Sequence, residues 1–392
     1  MLQGLYPNRP KSAGVALWQE GIVIAFLVVR SALSPSSTRL LIAASGTGGH
    51  LFPAIATAEA LSAEHYTIEW LGVPNRLETT LVPEKFPLHT VKLAGLQGRP
   101  GVRTARLVTQ LAQATWFTRG LLRQGQFTGV LTTGGYIAAP AILAARSLGL
   151  PAILHESNAL PGKVTRWLSP WCSLVALGFD AAAAYLPRAT TVTVGTPVRS
   201  DFIGETSALP ADLPIPDGVP LILVVGGSQG AVAVNQMVRQ AAPAWLEAGA
   251  WIIHQTGSND PDADVFSHPH YIHRPFFDQM AALLQRATLA IGRAGAGTLT
   301  ELAVTATPSV LIPYPFAAEN HQAFNAKVFT DAGAALMANQ ADLTSEHLQT
   351  EVLNLLGDAP RLQQMAAAAG GLAVTDSASR LAELLQKQFA LG

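Results

Sequence analysis

The same local pattern occurs once in each half of the chain: an apolar run, a glycine-rich turn and the start of a helix. The two copies read LLIAASGTGGH, Leu40–His50, and LILVVGGSQGA, Leu221–Ala231. Buried parallel strands are continuous apolar runs, and they alternate with helices along the chain. Two such openings predict an α/β protein with two Rossmann-like domains, whose parallel sheets face each other across a cleft. Ligands in such sheets bind beyond the carboxyl ends of the strands.

Further apolar runs bounded by Gly or Pro predict the remaining strands. The predicted strands are Leu40–Ala44, Ile68–Leu71, Gly129–Thr132, Ala152–Leu154, Leu174–Ala176, Thr191–Val194, Leu221–Val225, Trp251–Gln255, Leu289–Ile291, Ser309–Ile312 and Ala335–Met337. A length of 392 residues fits two domains. We expect them at 38–197 and 198–375, with a hinge near Val194–Arg199 and a last helix in 376–392 that packs back on the first domain.

The first 37 residues precede the predicted first domain. Their apolar run, Gly21–Val29, has nine residues, fewer than the roughly 20 that span a bilayer. We expect a dispensable extension that is disordered or lies on a membrane surface. A signal peptide is the remaining alternative, because Arg9 and Lys11 precede the run.

Charge is unevenly distributed along the chain. Residues 1–199 hold 17 Lys and Arg against 8 Asp and Glu, and residues 200–392 hold 8 against 18. From Lys85 to His155 there are eight basic residues and no acidic one. Arginines interleaved with Trp116 and Phe117 suit an anionic membrane surface, although a solvated basic helix is the simpler alternative. Nucleic acid is disfavoured, because the second half is acidic and contains no recognisable binding module.

The glycine-rich turn at Gly226–Gly230 suits a phosphate. Exposed N–H groups and the positive end of the following helix favour an anion there, and Ser228 adds a hydroxyl donor. A plain tight turn is the alternative. The single cysteine, Cys172, excludes Cys-based zinc sites, and no other metal motif appears. Arg199 would then neutralise the phosphate charge, because its guanidinium matches phosphate geometry.

A second glycine-rich segment, Ala290–Pro315, predicts a helix that starts near Thr298 and has Glu301 in its first turn. Glu301 either stabilises the helix end or accepts hydrogen bonds from the two hydroxyls of a ribose. The run Glu319–Asn325 collects amides, a carboxylate and an imidazole that suit sugar hydroxyls. In the first half, the loops that contain Tyr136 and His155–Asn158 also leave strand ends and are expected in the cleft.

Taken together, the motifs GTGGHLFPA, TTGGY, HESNALPG, GTPVR, GGSQGA, GRAGAGTLTEL and ENHQAFNA resemble, in order and spacing, those of the MurG family. The resemblance extends from about Arg39 to the C-terminus. It implies the GT-B fold and an inverting glycosyltransferase that needs no metal or cofactor. The implied reaction transfers N-acetylglucosamine from UDP-N-acetylglucosamine to the 4-hydroxyl of the muramic acid unit of lipid I, which forms lipid II for peptidoglycan.

The resemblance also implies a location and a set of binding residues. The protein would be a peripheral protein at the cytoplasmic face of the plasma membrane. Cell-wall synthesis proteins would be its protein partners there. Asn158, His321 and Gln322 would contact the sugar, Arg199 and Ser228 the diphosphate, and the Phe277 ring would pack on uracil. The remaining implied contacts are Thr47, Gly48 and Gly49 against donor and acceptor, Gln229 beside Ser228, and Ala296, Gly297, Thr298 and Glu301 along the diphosphate and ribose.

A histidine at a helix start in the cleft suits proton removal from the acceptor hydroxyl, because its pKa is near neutral. We therefore predict His50 as the general base, with Glu156 and the Tyr136 hydroxyl as lesser candidates; the alternative is that His50 only orients the acceptor. Rival functions are a diacylglycerol glycosyltransferase, a sugar-nucleotide epimerase and a non-catalytic binding subunit. A dinucleotide oxidoreductase is the least favoured, since Leu51 stands where the fingerprint requires its last glycine.

Overall fold

The computed structural model describes residues 38–62, 66–93, 102–204, 208–210, 212–227 and 230–390. The predictions for residues 1–37, for Arg99 in the basic region, and for Ser228 and Gln229 lie outside the described residues.

The first domain is built on a parallel sheet with the strand order β3-β2-β1-β4-β5-β6-β7. Its strands are β1 Thr38–Ala43, β2 Tyr66–Gly72, β3 Leu88–Thr90, β4 Gly129–Thr132, β5 Ala152–Glu156, β6 Leu174–Leu177 and β7 Thr191–Thr193. Its helices are α1 Gly48–Ser62, α2 Glu78–Leu81, α3 Val102–Gln124, α4 Ala138–Ser147 and α5 Lys163–Leu168. Residues Leu40–Ala43 are fully buried, as expected for a central strand covered by helices on both faces.

The second domain repeats this architecture, with the strand order β10-β9-β8-β11-β12-β13. Its strands are β8 Leu221–Val225, β9 Trp251–Gln255, β10 Tyr271–Arg274, β11 Leu289–Gly292, β12 Ser309–Leu311 and β13 Ala335–Met337. The helices are α6 Val232–Glu247, α7 Met280–Arg286, α8 Ala296–Val304, α9 His321–Asp331, α10 Ser345–Leu356, α11 Ala359–Gly371 and α12 Ser377–Ala390. All neighbouring strands in both sheets pair in parallel.

The predicted fold class, two Rossmann-like domains with parallel sheets, is confirmed. Each predicted strand is present, with ends that shift by up to two residues. The sequence analysis missed β3 and β10, which form one edge of each sheet. Both are short and carry polar residues such as His89 and Arg274, because an edge strand need not be a continuous apolar run.

The C-terminal helix returns to the first domain. Leu381, Ala382 and Leu385 of α12 are buried in the core cluster that contains Leu40 and Leu51. At the start of α12, the Ser377 hydroxyl donates to the Thr196 carbonyl across 3.0 Å. The chain therefore crosses between the two sheets twice, near residues 196 and 376. The exact domain limits stay predictions.

Candidate active site

The turn after β1 is held in place by a buried carboxylate. Glu78 accepts hydrogen bonds from the Ser45 hydroxyl, from the Gly46 N–H at 3.2 Å and from the Val73 N–H at 2.7 Å. Gly46 has φ +103°, a conformation that favours glycine. The Thr47 carbonyl accepts from the His50 N–H at 3.0 Å, so α1 begins at once. Thr47 and Gly49 are exposed on this turn and Gly48 is half-buried.

The His50 imidazole lies against the turn that follows β4. Its Nδ1 is 2.7 Å from the Thr133 carbonyl, and the Thr133 hydroxyl donates to the His50 carbonyl at 2.8 Å. Because a carbonyl only accepts, Nδ1 carries the proton and the lone pair of the neutral ring resides on Nε2. Nε2 is therefore the nitrogen that can receive a proton.

Two glycines allow this close packing around the imidazole. Gly134 and Gly135 have φ +94° and +73°, and a Cβ on Gly134 would lie 3.4 Å from His50 Cε1. Side chains at these positions would strain the backbone and crowd the ring. Tyr136 follows directly and is 42% exposed, so its hydroxyl remains a candidate contact.

Glu156 anchors the loop after β5. Its Oε1 accepts from the Asn158 N–H at 3.0 Å and from Asn158 Nδ2 at 2.9 Å. Its Oε2 accepts from the Gly162 N–H at 3.2 Å and from the Thr165 hydroxyl at 2.6 Å. This buried carboxylate is fully used by its own loop. The geometry therefore argues against the predicted role of Glu156 as a base.

Asn158 and Asn325 join the two domains. Asn325 Nδ2 donates to Asn158 Oδ1 at 3.1 Å and to the Ala294 carbonyl at 3.2 Å, while its Oδ1 accepts from the Ala159 N–H at 2.8 Å. Asn325 is fully buried. The polar run that contains Asn325 was expected to bind sugar hydroxyls, and its link to the first domain was not predicted.

A second link between the domains lies at the start of α9. Arg166 of α5 forms an ion pair with Glu319, whose pKa is lowered by that hydrogen bond. Glu319 and Asn320 both have left-handed backbones, with φ 52° and 59°. His321 Nδ1 is 2.9 Å from the Ala318 carbonyl. Gln322 Oε1 accepts from the Tyr314 N–H at 2.9 Å, so a contact to a sugar hydroxyl would come from its Nε2 group.

A pocket between α1 and α8 is lined by residues that were predicted to bind the diphosphate and the ribose. Its lining includes Gly48, Phe52, Arg199, Gly297 and Glu301. Burial raises the pKa of Glu301 to about 7, and the positive charge of Arg199 opposes the increase. Since α8 begins at Ala296 and not near Thr298, Glu301 lies beyond the first turn. The interpretation of Glu301 as a helix-end partner is therefore wrong.

The second glycine-rich turn packs against the loop after β9. Gly227 and Gly230 have φ +80° and +79°, and a Cβ on Gly230 would lie 2.3 Å from the Thr256 carbonyl oxygen. Glycine is required at position 230, because such an approach is closer than atoms tolerate. The turn leads into α6, which begins at Val232.

The predicted packing of Phe277 on uracil is contradicted by the structure. The Phe277 side chain is 2% exposed and belongs to the core of the second domain. Its backbone N–H, which would have to donate to the edge of a uracil base, donates instead to Gln255 Oε1 at 3.1 Å. The adjacent Phe276 is 57% exposed, so Phe276 is the ring that a base could reach.

Arg293, for which no role was predicted, connects the chain segments that follow three strands of the second sheet. Its Nη1 donates to the carbonyls of Ile312 at 3.0 Å and Pro313 at 3.2 Å, and its Nη2 donates to Gln340 Oε1 at 2.6 Å. These bonds tie the turn after β11 to the chain after β12 and after β13. The signal was a lone arginine within a glycine- and alanine-rich turn.

The predicted basic region forms an exposed aromatic and basic surface on α3, defined here by Arg106, Trp116, Phe117 and Arg123. Trp116 is 77% exposed and Phe117 46%, and α3 contains no acidic residue. Trp167 and Trp171 are also exposed, on elements that contact α4, against which α3 packs. Among the described residues, no helix combines the length and hydropathy of a membrane span.

Two family models identify the chain as a glycosyltransferase. The family described as "Glycosyltransferase family 28 N-terminal domain" matches residues 40–177, and "Glycosyltransferase family 28 C-terminal domain" matches residues 221–381. The first match includes six of the seven strands of the first sheet, and the second includes all six strands of the second sheet.

Individual relatives narrow this class. The chain is 63% identical over 349 residues to the "UDP-N-acetylglucosamine--N-acetylmuramyl-(pentapeptide) pyrophosphoryl-undecaprenol N-acetylglucosamine transferase" of Trichormus variabilis, covering 89% of this chain and 97% of the relative. The crystal structure of Acinetobacter baumannii MurG is similar with a TM-score of 0.72 and 30% identity, over 89% of this chain and 99% of that one. The chain belongs to the MurG family of glycosyltransferases. A UDP-N-acetylglucosamine 2-epimerase from Listeria monocytogenes, 14% identical with a TM-score of 0.68 over 91% of this chain and 98% of that one, shares the fold alone.

Proposed function

We propose that this protein transfers N-acetylglucosamine from UDP-N-acetylglucosamine to the 4-hydroxyl of the muramic acid unit of lipid I, and so forms lipid II. The proposal rests on the substrates named for its relatives and on one observation in the cleft. The imidazole of His50, oriented through Nδ1, lies on the same helix as Gly48 and Phe52, which line the pocket of Arg199 and Glu301.

The proposed chemistry is a direct displacement with inversion. The acceptor oxygen attacks the anomeric carbon, the bond from that carbon to the diphosphate breaks, and the acceptor proton moves to His50 Nε2. UDP leaves with the electron pair of the broken bond. Arg199 and the N–H groups of the turn at Gly226–Gly230 stabilise the developing negative charge. No metal or cofactor has a part in this scheme.

The donor occupies the cleft mainly through the second domain. Ala296, Gly297 and Thr298 open α8 and face the diphosphate with their N–H groups. Glu301 binds the ribose hydroxyls, Phe276 replaces Phe277 as the ring beside uracil, and Ser228 with Gln229 completes the phosphate turn. The sugar is held by Asn158, Asn325, His321 and Gln322. Residues 38–197 form the acceptor and membrane domain, and residues 198–375 form the donor domain.

Membrane attachment is proposed through the aromatic and basic surface of α3. Tryptophan side chains prefer the interface of a bilayer, and each nearby basic residue adds about 1 kcal/mol of attraction to anionic lipids. This arrangement keeps the protein peripheral, on the cytoplasmic face where lipid I is expected. Contacts with other cell-wall synthesis proteins stay an expectation.

A transfer assay tests the proposed function. UDP-N-acetylglucosamine is incubated with a short-chain lipid I analogue, with diacylglycerol, or without acceptor, each with and without a chelator. We expect transfer to the lipid I analogue alone, at a rate unchanged by chelator. Transfer to diacylglycerol, or epimerised sugar nucleotide without acceptor, would replace the proposed reaction with one of its rivals. Inhibition by chelator would contradict the metal-free mechanism.

A further inference from the structure

The guanidinium of Arg199 lies between two aromatic rings that come from different domains. Its Cζ is 4.9 Å from the centroid of Phe52 and 5.0 Å from that of Phe202. Phe52 belongs to α1 of the first domain, whereas Phe202 ends the short turn Ser200–Phe202 at the start of the second. This cation therefore contacts one aromatic ring from its own domain and one from the domain across the cleft.

Stacking of this kind leaves the hydrogen-bond donors of the guanidinium available. All five N–H groups of arginine lie in the plane of the group, and a cation–π contact with a ring uses none of them. The nearest carboxylate oxygen is loosely placed, with Asp201 Oδ2 3.7 Å from Nη1. Nε is buried and has no hydrogen-bond partner among the described residues. Arg199 thus lies between contacts from both domains and has donors that suit two phosphate oxygens.

The Phe52 ring faces the pocket and not the core. Leu51 and Ala54 beside it are fully buried in the first domain, whereas Phe52 is half-buried and lines the same pocket as Arg199. Gly48 makes room for the ring, because a Cβ there would lie 2.8 Å from Phe52 Cε2. The absence of a side chain at Gly48 therefore serves the position of Phe52.

We propose that Phe52 is a positioning residue for the donor diphosphate, which acts by fixing the plane of the Arg199 guanidinium from across the cleft. The inference deepens the proposed function and rests on the role of Arg199 given there. Phe52 is two residues from His50 on α1, so one helix positions both the His50 imidazole and, through Phe52, the Arg199 guanidinium. Approach of α1 to the second domain aligns the two groups together.

Binding of UDP and of uridine to the full chain separates this role from a structural one. Uridine lacks the diphosphate, so a residue that acts through Arg199 changes UDP affinity alone. A cation–π contact of this kind corresponds to about a fivefold change in affinity. We expect Phe52→Leu to weaken UDP about fivefold and to change uridine by less than about twofold. Phe52→Tyr, which keeps the ring, should bind UDP nearly as the wild type does.

Two outcomes would overturn the inference: equal weakening of UDP and uridine by Phe52→Leu, or unchanged UDP binding in that variant. Circular dichroism and thermal unfolding establish that each variant is folded. Adding Arg199→Ala and the double variant closes a mutant cycle, in which Phe52→Leu should have little further effect once Arg199 is removed. If Arg199→Ala itself leaves UDP binding unchanged, the assigned role of Arg199 fails and this inference with it. If the wild type transfers no sugar but the variants still show the expected difference between UDP and uridine binding, the proposed reaction is refuted and this inference is not.

Discussion

Replacing the buried Glu78 should destabilise the first domain. In Glu78→Ala, three donors lose their acceptor: the Ser45 hydroxyl and the N–H groups of Gly46 and Val73. A hydrogen bond to a charged group contributes about 1.5–3 kcal/mol, and water that enters the space recovers part of the loss. We therefore expect the free energy of unfolding to fall by about 4 kcal/mol.

Calorimetry measures this loss directly. For a domain of about 150 residues, 1 kcal/mol lowers Tm by about 2–4 °C, so Glu78→Ala should unfold about 8–16 °C below the wild type. Glu78→Gln is the matched control, because it keeps one acceptor oxygen and nearly the same volume; we expect about a third of the effect. UDP binding by the second domain should persist at temperatures where both variants are folded. A Tm within about 2 °C of the wild type for Glu78→Ala would refute the reasoning.

Three further changes test other parts of the molecule. His50→Ala should slow single-turnover transfer about 10²- to 10⁴-fold with UDP binding retained, and near-wild-type chemistry would exclude His50 as the base. Because burial raises the folded-state pKa of Glu301 from 4.5 to about 7, wild-type stability should fall as pH rises from 4.5 through 7. The Tm advantage of Glu301→Gln over the wild type should thus grow between pH 5 and 8, and a constant difference would contradict this. Trp116→Ser with Phe117→Ser should reduce binding to anionic vesicles at low salt; equal binding by wild type and variant would remove α3 as the attachment surface.

The central strands could be predicted from the sequence because burial on both faces imposes continuous apolar runs such as Leu40–Ala43. The edge strands β3 and β10 escaped the prediction, because pairing on one side does not impose such a run. The choice between Phe276 and Phe277 was also beyond the sequence. Adjacent residues in an irregular segment can point either way, and only the packing of the second domain decides which ring is buried.

The supports of the site were hidden for a different reason: their partners are distant in the sequence. Glu78 binds a turn 32 residues before it, and Asn325 binds Asn158, which is 167 residues away. A carboxylate in a four-residue helix and an amide in α9 resemble ordinary surface residues until the topology brings their partners to them. Glu78 lies outside every recognised motif, whereas Asn325 lies within ENHQAFNA, where the sequence shows the amide but not its partners.

The proposed donor site includes amides that already form hydrogen bonds between the two domains. The Asn325 amide already forms hydrogen bonds with Asn158, Ala159 and Ala294. A sugar hydroxyl that binds Asn158 or Asn325 must therefore replace at least one of these bonds. Such an exchange contributes little net affinity, since a hydrogen bond gained offsets one lost. It does contribute selectivity, because a sugar that displaces one of these bonds but carries no hydroxyl at that position would leave a buried amide unpaired at a cost of about 1–3 kcal/mol. Affinity must then come from the diphosphate and the base. Arg199 Nε has no hydrogen-bond partner among the described residues, and the Phe276 ring is exposed. In the proposed binding mode, charge and stacking thus provide the affinity, and the paired amides select the sugar.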